Sequence, residues 1–162
     1  MTNSRKFIIF LGRLPGVTAW SSSVYSNNRR NWGPQLAMRG RSRSSVGFFH
    51  SKLENRPWLR IQITVTKLSG VGIINRKNCC GNRLRNLQIR AGMSPSLRNK
   101  VVGFFKGPGR TGGEYRINFR HPVVAKYITF QLMGRGYLQI NGIKLYRGGP
   151  PAIKGTIILF AG

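Results

Sequence analysis

The chain has 162 residues, enough for one domain with its own core. Its 28 Lys and Arg face only two side-chain acids, Glu54 and Glu114, giving a formal net charge of +26. With no aspartate, a Ser/His/Asp triad is excluded and an acid–base carboxylate pair could only be Glu54 with Glu114; so large an excess of one sign calls for a polyanionic environment.

Residues 1–20 read as a basic arm. "MTNSRKFIIFLGRLPGVTAWSSS" has arginine, serine, a short apolar patch and no acid, which fits an organelle transit segment better than a secretory signal. No apolar run reaches the roughly 18 residues of a membrane span. The densest basic stretch follows, "RRNWGPQLAMRGRSRSS", carrying Arg29, Arg30, Arg39, Arg41 and Arg43.

From residue 21 to 146 the chain is a series of short alternating runs, which predicts an all-β domain. In "PWLRIQI", Leu59, Ile61 and Ile63 share one face. "SGVGIIN" comes next, then "NRKNCCGNRLR" (75–85), with the only two cysteines among three arginines and a lysine. Those vicinal cysteines are open to several readings: a metal site, a redox pair, a sugar pocket or a remnant. Adjacent cysteines lack the spacing of a tetrahedral zinc site, so no metal is expected there.

Beyond them, "LRNLQIRAG" sets Leu87, Ile89 and Ala91 against Gln88 and Arg90. "EYRINF" sets Tyr115, Ile117 and Phe119 against Arg116 and Asn118, and "KYITFQL" and "YLQINGIKLY" close the zone. The breaks between runs, "MSPS", "GPGRTGG" and "MGRG", have turn composition. "GPGRTGGE" lacks the Lys-Ser/Thr of a phosphate-binding loop and reads as a hairpin turn. Residues 147–162 form a Gly/Pro-hinged tail ending in "TIILFAG". The apolar ends "KFIIFLG" and "TIILFAG" are expected to dock on protein neighbours.

Taken in order, "FFHSKLENRPWLRIQI", "GVGIINRKNCCGNRLRNLQIRAG", "GPGRTGGEYRINF" and "KYITFQLMGRGYLQINGIKLY" resemble the F-type lectins, or fucolectins, of the discoidin and coagulation-factor C-domain superfamily. The resemblance covers about residues 21–146. It implies an eight-stranded antiparallel jelly-roll β-sandwich, here with basic extensions at both ends. It also implies a fucose site made by a histidine and an Arg-x-Asp-x4-Arg stretch around bridged adjacent cysteines. The matching positions are His50, Arg76, Asn78 and Arg83, with Cys79 and Cys80.

The family's aspartate is Asn78 here. A neutral carboxamide cannot balance two guanidiniums, so sugar binding is expected to be weak or absent and the pocket a remnant. The family's calcium ion is expected to be lost as well, with Arg39 at an aspartate position and Gly142 at a glutamate position; Arg39 is expected to reach into the vacated space. The missing further cysteines point to a reducing compartment.

The reading that accounts for charge and N-terminus together is a structural, rRNA-binding component of a mitochondrial ribosome, with rRNA and ribosomal proteins as partners and no cofactor. Arg29, Arg30, Arg39, Arg41, Arg43, Arg85, Arg90, Arg110, Arg116 and Arg120 would hold the RNA backbone. The alternatives are a fucose-binding lectin and a basic DNA-packaging or viral structural protein. No enzyme is expected.

Overall fold

A computed structural model describes residues 16–147 and 157–160. The described chain is built from antiparallel strands, as the alternation predicts. In the largest sheet the order is β11 (Ile157–Phe160), β10 (Gly142–Arg147), β4 (Trp58–Ile74), β7 (Glu114–Leu132), β5 (Leu87–Gly92) and β6 (Val101–Phe105), with β1 (Thr18–Ser21) also on β4. Two small sheets pair β2 (Phe49–His50) with β9 (Gln139–Ile140), and β3 (Glu54–Asn55) with β8 (Arg135–Gly136). The description therefore runs to eleven strand segments rather than eight, because two-residue pairings count beside the long strands.

β4 and β7 form the spine. Trp58–Gln62 pairs with Tyr127–Gln131, and Gly70–Ile74 pairs with Glu114–Asn118. Between those stretches the register shifts twice, as bulges do where a strand must bend. One core receives side chains from both halves: Leu59, Ile61, Val71 and Ile73 from β4, and Ile117, Ile128 and Phe130 from β7. Leu87, Ile89 and Ala91 are buried from β5, with Gln88 and Arg90 only half-buried, matching the alternation. Arg116 is exposed while Ile117 and Phe119 are buried, again as alternation requires.

The arm and tail fall mostly outside the described residues. β1 straddles the expected boundary at residue 20, and β11 lies within the expected tail, where it pairs with β10. The apolar segment "KFIIFLG" lies outside the described residues, and so do the ends of "TIILFAG".

Candidate functional site

The site starts from a strand pairing. β2 and β9 set His50 directly opposite Gln139, 89 positions later in the chain. Both side chains are buried. The loop after β4 then brings Arg76 and Arg83 to the same point. With its carboxamide turned to suit the two guanidiniums, Gln139 Oε1 lies 3.1 Å from Arg76 Nη1, 2.8 Å from Arg83 Nη1 and 2.8 Å from His50 Nε2. The opposite orientation would aim an amide NH2 at two cationic donors, which has no acceptor to offer them.

The loop is shaped by glycine and a buried asparagine. Cys79 and Cys80 are joined to each other by a disulfide, so the pair is not reduced, contrary to the expectation of a reducing compartment. Cys80 takes a left-handed conformation (φ 63°) and turns the chain into Gly81. A Cβ at Gly81 would sit 2.0 Å from Thr111 N and 2.2 Å from Arg110 C, so only glycine lets the two backbones touch.

Asn75 secures that contact by donating to the carbonyls of Gly81 and Arg110, each at 2.9 Å. Gly112 N donates to Arg76 O at 2.7 Å, and Gly81 N donates to Thr111 Oγ1 at 3.0 Å. "GPGRTGG", which composition marks as a plain hairpin turn, is thus the brace of the cysteine loop.

The resulting cavity, about 330 Å³, is lined by His50, Arg76, Arg83, the Cys79–Cys80 bridge and the aromatic rings of Tyr25, Trp32 and Tyr137. Arg83 lies over the Tyr137 ring at 4.7 Å and Arg76 over the Phe48 ring at 4.9 Å, so both guanidiniums are held flat by cation–π contact. Tyr25 covers the imidazole with its ring centroid 4.5 Å away. Asn78 also contributes: its Oδ1 accepts from Arg76 Nε at 2.7 Å.

Two acceptors flank the His50 ring. The Ser51 carbonyl lies 2.7 Å from Nδ1 and Gln139 Oε1 faces Nε2. Only an imidazolium could donate to both. Burial opposes that charge, and Arg76 and Arg83 add to the opposition against the one favourable contribution, the Ser51 carbonyl, so the pKa falls to about 4. At neutral pH the ring satisfies Ser51 and leaves Nε2 as a lone pair beside two cationic donors. Burial also lowers the Arg76 pKa, followed by repulsion from Arg83.

Of the residues that the resemblance singles out, His50, Arg76, Cys79, Cys80 and Arg83 line one cavity, and Asn78 meets it through Arg76. Gln139, Tyr25, Trp32 and Tyr137 were not read from it. A signal for Gln139 existed: "LQIN" sets two polar side chains inside a continuously buried run, and buried carboxamides need partners.

Among the described residues no three His, Cys, Asp or Glu side chains gather, so no cluster of carboxylates of the kind calcium favours is present there. A Cβ at Gly142 would meet Gly40 Cα at 2.8 Å, so no larger side chain fits there without movement. Arg39, however, is exposed and does not fill a vacated cavity. Loop 39–47 is instead held by buried Asn141, whose Oδ1 accepts from Ser42 N at 3.2 Å and whose Nδ2 donates to Ser42 O at 2.5 Å.

Of the arginines assigned to RNA, Arg29, Arg30, Arg39, Arg41, Arg43, Arg85, Arg110, Arg116 and Arg120 are exposed, and Arg90 is half-buried and donates to the Asn99 carbonyl at 2.7 Å. They are spread over a short helix, several strands and the loops between them. Arg116 lies over Tyr146 at 4.0 Å.

This fold and this site define a class. Residues 17–144 match the F5/8 type C domain, and the chain belongs to that family. Within it, the domain is of the F-type lectin kind. It is 32% identical over 102 residues to Fucolectin-6 of Anguilla japonica, an overlap of 59% of this chain and 52% of the relative. The f-lectin from striped bass (Morone saxatilis) serum superposes with a TM-score of 0.71 at 25% identity, over 81% of this chain and 47% of that one. The chain thus spans about half the length of these relatives. A Streptococcus pneumoniae fucose binding module shares the fold, with a TM-score of 0.60 at 19% identity over 81% of this chain and 91% of the module.

These likenesses overturn the ribosomal reading, and with it the mitochondrial location and the rRNA and ribosomal-protein partners. The relatives are lectins, one of them from serum. The error has a physical source: net charge reports that an anion is wanted, but phosphate, sulfate and carboxylate groups all answer to arginine.

Proposed function

We propose that this chain is a carbohydrate-binding protein that holds a fucose-class sugar in the cavity over Gln139 and performs no chemistry on it, with the binding domain occupying about residues 21–146. The observation that carries the proposal is the convergence of His50, Arg76 and Arg83 on one buried carboxamide oxygen beside the Cys79–Cys80 bridge. A sugar hydroxyl is both donor and acceptor. It can donate to the lone pair of neutral His50 Nε2 and accept from a guanidinium, which settles the mismatch left in the free site. The disulfide and the rings of Tyr25, Trp32 and Tyr137 offer apolar surface to the C–H face of the sugar. Gln139 supplies the acceptor that Asn78 alone cannot, so the loss of the aspartate does not leave the arginines unheld.

Calorimetry with L-fucose tests this. Binding is expected with a Kd of about 0.1–1 mM, the scale of a few net hydrogen bonds on a small ligand. D-galactose should bind more weakly, and chelators should change nothing. Absence of heat and of fucose-resin retention would sink the proposal.

A further inference from the structure

A second groove adjoins the sugar cavity. Arg83 and Tyr137 line both, so the stacked pair is the partition between them. Beyond the partition the groove, of about 280 Å³, is walled by Asn82, Arg85, Asn86 and Arg135. It therefore gathers three guanidiniums, and no carboxylate lines it. Of the chain's two side-chain acids, Glu54 stands opposite Gly136 on the strand beside the groove, where it accepts from Ser22 Oγ and does not line the groove, and Glu114 pairs with Lys144 Nζ at 3.0 Å.

The guanidiniums are also underused. Arg83 spends Nη1 on Gln139. Arg85 donates only through Nε, to Asn82 O at 3.2 Å, and Arg135 donates to no described residue. Both Arg85 and Arg135 are exposed. Their free N–H groups, with the carboxamides of Asn82 and Asn86, form an array of donors.

We infer that this groove is an anion subsite, and that the ligand is an acidic fucosylated glycan. The fucose fills the cavity over Gln139, while a sulfate ester or carboxylate on the neighbouring sugar sits between Arg83, Arg85 and Arg135. The planar guanidinium fork matches both oxyanions. This inference rests on the reading of the sugar cavity given above and adds to it the class of glycan. It also gives the chain's positive charge a use that binding of a neutral sugar does not need.

The test is calorimetry on the full chain with four glycans: a neutral fucosylated trisaccharide, its monosulfated form, its sialylated form, and the sulfated trisaccharide without fucose. At low salt, one or both of the acidic fucosylated forms should bind about tenfold more tightly than the neutral one, with the gain shrinking as salt screens the groove. Whichever form gains identifies the oxyanion. The double variant Arg85→Gln/Arg135→Gln should lose the gain while keeping neutral fucoside affinity and the thermal melt of the parent.

If the neutral glycan binds but neither acidic form gains, the subsite fails and the sugar cavity stands. If the gain survives in the double variant, or if the sulfated glycan without fucose binds as tightly as the fucosylated one, the charge acts diffusely and the inference is wrong. If no fucosylated glycan binds, the cavity reading fails and takes this inference with it.

Discussion

Two parts of the molecule have met the loss of acids in the same way but with different consequences. Around the cysteine loop, Gln139 Oε1 accepts from Arg76 and Arg83 and faces His50 Nε2. Around loop 39–47, Asn141, two residues further along, grips both backbone groups of Ser42. Each is a buried neutral carboxamide near a position, Asn78 or Gly142, where the lectin resemblance leads one to expect a carboxylate. At Gln139 the replacement leaves donors free for a ligand and so keeps a site open. At Asn141 both ends of the amide are spent on Ser42, so the carboxamide holds the loop. A carboxamide can thus serve as a hub or as a clamp, and the number of its donors and acceptors spent inside the protein decides which.

The comparison is most directly broken at the hub's spokes. Arg76→Ala should weaken fucose binding by about 10- to 100-fold, since hydrogen bonds from charged groups are lost. An unchanged calorimetric Kd would show that the convergence on Gln139 is not the binding centre. Gln139→Leu should abolish most binding too and lower stability by about 1–3 kcal/mol, the cost of unpaired buried polar groups. In contrast, Gln139→Glu should keep the fold and raise the His50 pKa, followed by imidazole NMR titration; the sign follows because a nearby anion favours the imidazolium.

The clamp is tested by stability alone. Asn141→Leu should cost about 1–3 kcal/mol in chemical denaturation, as it strands the Ser42 amide and carbonyl. Millimolar calcium should leave the melting temperature of the parent chain unchanged, and a rise would mean that a cation site survives. A smaller effect is expected from pH. The His50 pKa is about 4 folded against 6.5 as the ordinary value, so the unfolded chain takes up a proton first as pH falls. The His50 contribution to stability is therefore complete above pH 6.5 and is lost progressively down to pH 4. Fucose affinity should drop as pH approaches 4, because Nε2 then carries a proton. A flat melting profile over that window in the parent, identical to that of His50→Gln, would contradict the assignment.

The smallest change is Asn78→Asp. Asn78 already accepts from Arg76 Nε, so a carboxylate there should improve fucose affinity only about two- to fivefold, the scale of an exposed charge pair. A much larger gain would mean that Gln139 does not hold the arginines.

The sequence by itself determined the strand-rich fold, because alternation is a local property and burial follows it through β5, over Trp58–Ile63 of β4 and over Arg116–Phe119 of β7. It also determined the lectin kinship, through motifs whose order survives in one dimension, and it singled out His50, Arg76, Arg83 and the cysteine pair, which the fold brings to one cavity. It did not separate a ribonucleoprotein from a lectin, because charge composition carries the sign of a partner and not its chemistry. Only the tertiary structure decided what holds the site together. Gln139 meets His50 through a strand register spanning 89 residues, and Asn141 meets Ser42 across 99. A buried polar side chain must find a partner, but no local pattern says which distant residue the folded chain will bring to it.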